Sequence, residues 1–178
     1  MHHPTRRRFL HASLLLGAAP LTGCGPQLRD VRLTALPAAL QEIQRLSGAA
    51  SLHSRTAWSW SKTLVHLAQS VEYSMAGYPQ MYSRLFQTAL GQPAFAFFRW
   101  RGHMQHDLIE PIPGSPAIAD SPPLAPSLLR LMTACQHFMQ WQAPLQPHFA
   151  YGLLSHADYE QAHAMHLANH AAAFDLQA

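Results

Sequence analysis

Apolar residues recur at helical spacing over most of the chain. Leu36, Leu40 and Ile43 predict a first helix over about 36–48, ended by Gly48. Leu64, Leu67, Ala68, Val71 and Met75 form one stripe of a second helix. It starts at Ser59 or Ser61, both good N-caps, and stops at Gly77-Tyr78-Pro79. Residues 80–90 and 93–101 predict two shorter helices separated by Gly91-Gln92-Pro93, the second rich in aromatics. Six prolines then rule out a continuous helix over residues 102–126, and so long a loop suits a cover over a site. Leu128, Leu131, Met132, Cys135, Phe138 and Met139 predict an amphipathic helix ending before Pro144. A last helix runs from Ser155, with Asp158 placed as in a capping box, to about Phe174. No strand alternation and no internal repeat stand out. The expected class is all-α: four main helices with a long connection, packed as a bundle.

Composition sharpens this picture. A chain of 178 residues suits one domain plus a targeting segment, and 48% hydrophobic residues suffice for a core. The formal charge of +3 is carried entirely by Arg6, Arg7 and Arg8 at the N-terminus. The remaining body is neutral, which excludes nucleic acid as a partner. Thirteen histidines are the first chemical hint.

The N-terminus reads as an address. Arg6-Arg7-Arg8-Phe9-Leu10 precedes the apolar run Ala12 to Leu21, too short for a membrane span of about 20 residues. The paired arginines resemble a twin-arginine export signal, and Leu21-Thr22-Gly23-Cys24 resembles a lipobox. The expected organisation is a signal segment at 1–23, a tether at 24–34 lipidated on Cys24, and a helical domain at 35–178. The domain would then sit in the periplasm, tied to the envelope by acyl chains, with Gly25 pointing to the outer membrane. Cys135 lies on an apolar stripe and reads as a small core residue.

The last helix carries the most informative residues. Around it, His163, His166 and His170 share a face with Leu167 and Phe174, the face expected to meet the core. Histidines at i and i+4 are placed as metal ligands on a helix; the other reading is packed, hydrogen-bonded imidazoles. His66 offers a third ligand from the second helix. Yet it lies about 200° from Leu64, opposite the apolar stripe, with Lys62, Ser70 and Tyr73. Pattern alone reads it as a surface residue, since a polar internal seam and a solvated face look the same. Among the loop residues His103, His106, Asp107 and Glu110, a carboxylate helper is conceivable, but solvent exposure is the default expectation.

Trp58-Ser59 with His66 eight residues after the tryptophan, and His166-x3-His170 on the final helix, resemble the DinB-like metal-binding bundles. The stretches from His66 to Pro79 and from Met165 to His170 look like one uncharacterised branch of that superfamily. The resemblance covers about residues 33–174. It implies an up-down four-helix bundle with the long connection between helices two and three, and one divalent metal, zinc or nickel, on His66, His166 and His170. Relatives include transferases and isomerases that use small thiols. An exported lipoprotein acting as a metal-dependent thiol transferase or hydrolase of a small substrate is therefore expected; a non-catalytic metal-binding or structural envelope protein is the alternative. His163 is an addition to the three-histidine pattern, as a supporting partner, a fourth ligand or a pocket residue. Tyr73 and Tyr159 are candidate helpers beside the metal. Partners are thus a small molecule or thiol and, through the lipid, the membrane; a homodimer stays open.

Overall fold

The computed structural model describes residues 28–177. The signal segment, Cys24 and the start of the tether lie outside them. Helix α1, Leu36–Ser47, takes Pro37 in its first turn and buries Leu36, Ala39, Leu40, Ile43 and Leu46. Strand β1, Leu52–Ser54, leads to α2, Trp60–Ala76. Ser59 caps α2, its hydroxyl accepting from the Lys62 N–H at 3.2 Å, and Gly77 ends it at φ 104°.

The two short helices expected over 80–101 are joined. Helix α3, Arg84–Phe86, runs through a π-helical turn, Gln87–Gly91, into α4, Gln92–Arg101. Gly91-Gln92-Pro93 does not separate them. Pro93 sits in the first turn of α4, and the widened turn before it accommodates the N–H that proline lacks.

Residues 102–123 hold no helix, as the prolines predict, but the segment is not loose. Met104, Leu108 and Ile112 are buried and pin it to the body. Helix α5, Leu124–Met139, follows, with Pro126 in its first turn and Leu131, Ala134, Cys135 and Phe138 inside. Helix α6, His156–Ala171, opens on a complete capping box between Ser155 and Asp158. It ends three residues before Phe174. Strand β2, Phe174–Leu176, instead pairs antiparallel with β1, Leu52 opposite Leu176 and Ser54 opposite Phe174. Strands of three residues are too short for alternation to register in a sequence.

The chain is thus mainly helical, and four long helices build the core. The closest pairs are α2 with α5 and α1 with α6; α2 with α6 and α1 with α5 follow. One apolar cluster runs through all four, including Ile43, Leu64, Leu131, Phe138 and Leu167. A smaller one, Phe95, Met104, Ala162 and Met165, fastens α4 and the coil after it to the outside of α6. Arg99 of α4 adds an ion pair to Asp158 at 2.6 Å. Among the described residues no helix is long and apolar enough to cross a membrane.

Candidate metal centre

Helix α2 packs on α5 with its apolar stripe, and its other side meets α6. His66 is on that other side and is buried at 3% exposure. The surface position suggested by pattern is therefore incorrect: the polar side of α2 is an internal seam of His66, Gln69, Ser70 and Ser74, all buried. From α6, His170 is buried and His166 is half-buried, its ring reaching a cavity.

The three imidazoles close a triangle. Ring centres are 5.3 Å apart for His66 and His166, 4.9 Å for His66 and His170, and 4.8 Å for His166 and His170. One ring nitrogen from each lies within 4.8 Å of the other two. Imidazoles sharing a tetrahedral zinc through bonds of about 2.0–2.1 Å stand with ring centres about 5 Å apart, so the spacing fits. The chemistry fits as well. Nδ1 of His66 and Nε2 of His170 are buried without a hydrogen-bond partner, a costly state that a cation would relieve.

Burial also sets their protonation. It pushes the His66 imidazole down to about 3, with His106 adding to the effect. Burial, then neighbouring histidines, holds His166 and His170 well below the ordinary value. All three are neutral at pH 7 and keep a lone pair for a metal such as zinc, nickel or copper.

Trp58 forms one wall. Its ring meets His66 edge-on at 5.2 Å and stacks over His170 at 6.5 Å, while the Lys62 ammonium covers it at 5.3 Å. Trp58 enters the family resemblance by its spacing to His66, but periodicity does not show that its ring walls the site.

A cavity of about 300 Å³ opens on the other side of the triangle, reached by His66 and His166. Its far wall is the turn around His148, Phe149 and Tyr151. His148 accepts from the Ala150 and Tyr151 N–H groups through Nδ1 and stacks on Tyr151 at 4.3 Å. The π-helical turn is set against this wall: a Cβ on Gly91 would overlap the Ala150 carbonyl oxygen.

The coil after α4 supplies the cavity's cover. His106, Asp107, Glu110 and Ile112 all line it. His106 is exposed, as a loop residue should be, yet its ring stands only 5.0 Å from His166 and 5.2 Å from His170. Spacing gave no sign of this, because a coil has no period to read.

The model of a protein family of unknown function, DUF1569, matches residues 25–176. The chain belongs to DUF1569. No curated protein and no solved structure matches it.

The remaining candidates fall in different places in this DUF1569 chain. His163 lines the cavity but lies outside the triangle; its Nε2 is 3.2 Å from the Ser74 hydroxyl and its ring meets Phe138 edge-on. The Ser74 hydroxyl already donates to the Val71 carbonyl, so His163 donates to Ser74. Tyr159 also lines the cavity, fully buried, its hydroxyl donating to the Gln146 carbonyl at 2.7 Å. Tyr73 does not line the cavity. It is two turns along α2 from His66 and packs on Tyr78 at 5.8 Å. Cys135 is fully buried, as expected of a core residue.

Proposed function

We propose that this protein binds one divalent metal ion, zinc or nickel, through His66, His166 and His170. The observation that carries this reading is the convergence of three neutral imidazoles, two with orphaned buried nitrogens, from helices far apart in sequence. We further read the fold as a DinB-like four-helix bundle; the support is the Trp58-to-His66 and His166-to-His170 spacing on four mutually packed helices.

When bound, the metal supplies Lewis acidity, lowering the pKa of a water or thiol that joins it. The chain's own residues do the rest. Trp58 braces His66 edge-on and lies parallel to the His170 ring, and Phe149 and Tyr151 give the cavity an aromatic wall. Among the described residues no Lys or Arg lines that cavity, while Asp107 and Glu110 do, so a small molecule without multiple negative charges suits it. Thiol transfer or hydrolysis on such a substrate is the reaction class proposed.

A non-catalytic metal-binding or structural envelope protein is the second reading. What favours it is that the two carboxylates lining the cavity, Asp107 and Glu110, are both exposed on the coil, and neither is held in place by a hydrogen bond to the three histidines.

For localisation we propose export and lipidation of Cys24, with the domain held in the periplasm at the outer membrane. Membrane fractionation should recover the wild-type chain with lipid, and the Cys24→Ser chain in the soluble fraction.

Elemental analysis of the purified protein tests the metal reading. Stoichiometric zinc or nickel is expected in the wild type and its loss in His66→Ala and His166→Ala. Unchanged metal in both variants would refute it. Turnover of small thiol adducts by metal-loaded protein, absent from the same variants, separates the enzyme from the binding protein.

A further inference from the structure

We propose that His106 is a displaceable fourth ligand of the metal, and that a molecule in the cavity reaches the metal by taking its place. This rests on the three-histidine reading above.

Position is the first argument. The His106 ring centre is 5.0 Å from that of His166 and 5.2 Å from that of His170, the spacing the three rings of the triangle keep among themselves. Its nitrogen is not in the tight set formed by the other three, so a short inward movement of the ring completes the site.

The tautomer is the second. Nδ1 of His106 is 2.7 Å from the Asp107 carbonyl oxygen. A carbonyl only accepts, so Nδ1 carries the proton and Nε2 keeps its lone pair. A carbonyl behind one ring nitrogen, leaving the other for a metal, is the usual support for a ligating histidine.

The third is the difference between His106 and its neighbours. His66 and His170 are buried on helices, whereas His106 is exposed on a coil. That coil is pinned at Met104 and Leu108, two residues to either side, so the ring can swing while its backbone stays. Finally, the cavity is lined by His66, His106 and His166 but not by His170. A donor arriving through the cavity therefore meets the metal on the side His106 covers. A small thiolate, softer than imidazole, is suited to displace it from zinc.

The cobalt(II)-loaded full chain tests this, because the visible absorption of cobalt reports its ligand number. His106→Ala should change the spectrum, added imidazole should restore it, and zinc affinity should fall by about 10-fold or more. His106→Phe, which keeps the bulk of the ring and cannot ligate, should show the same loss. The probe 2-mercaptoethanol should bind cobalt more tightly in His106→Ala than in the wild type, having no ring to displace. Spectra and zinc affinity unchanged in both variants would overturn the proposal and leave the three-histidine site standing. A wild-type chain that takes up no cobalt, or a His166→Ala chain that takes it up equally well, would instead bring down the three-histidine reading, and this proposal with it.

Discussion

His66 and His170 meet across the α2–α6 contact with ring centres 4.9 Å apart, each keeping one buried nitrogen without a partner. A buried unpaired polar atom costs about 1–3 kcal/mol. Without metal, the pair is therefore a liability to the fold. The metal-free His170→Leu chain should be more stable than the metal-free wild type by about 1 kcal/mol or more, because leucine fills a similar volume and removes one of the two orphaned nitrogens. Zinc should reverse the order, raising wild-type stability by about 2.7 kcal/mol at 100 times its dissociation constant and leaving the variant unmoved. Urea unfolding with and without zinc measures both effects. A metal-free variant less stable than the wild type would show that the triangle is a satisfied polar cluster.

Trp58 should report on the site directly. Its ring centre lies 5.2 Å from that of His66 and 6.5 Å from that of His170. Paramagnetic nickel(II) at the triangle is expected to quench its fluorescence in a saturable titration. Trp58→Phe should bind nickel yet lose most of the quench. An equal quench in that variant would place the bound nickel elsewhere.

The four long helices were legible because each buries one stripe and three of them carry recognisable stops or caps: Gly48, Ser59 with Gly77, and Ser155 with Asp158. The His166 and His170 pair was legible for the same reason, since i and i+4 share a face. His66 was not. Helix α2 is covered on two sides, so Ser70, Ser74 and Gln69 beside it are buried polar groups that read as a wet face. Tyr73 shows the converse error. Seven residues after His66 it shares the same side of α2, but it stands about 10 Å further along the axis, out of reach of the triangle. His106, His148 and the strand pair sit in coil or in three-residue strands, where neither helical nor alternating periods exist.

Gly91 ties the cavity wall to the π-helical turn. Because a Cβ there would overlap the Ala150 carbonyl, Gly91→Ala should destabilise the fold by about 1–3 kcal/mol, the usual range for overpacking. The displaced backbone carries Phe149 and Tyr151, which line the cavity. Thermal unfolding should show the loss. A variant as stable as the wild type would mean that the 148–152 turn yields freely.

Cys135 is fully buried, and burial pushes its thiol up to about 12. In a Cys24→Ser chain it should resist a chromogenic disulfide reagent under native conditions and react fully in urea, since only the thiolate attacks. Rapid native labelling would show that α5 opens locally.

Acid should weaken the metal-free fold through histidines outside the triangle as well. Burial holds His148 and His163 at about 3 in the folded state, against about 6.5 in the unfolded chain. Between those values the unfolded chain binds protons that the folded chain refuses. The stability contributed is complete above about pH 6.5 and declines as the pH falls toward 3, by about 1.4 kcal/mol per pH unit for each group. In urea unfolding between pH 6.5 and 5, His163→Gln should flatten the pH dependence by one proton. Gln also keeps a donor for the Ser74 hydroxyl, so its stability at pH 7 should change little. An unaltered slope would mean that His163 is protonated inside the fold, with its second ring nitrogen donating to a group not paired with it here.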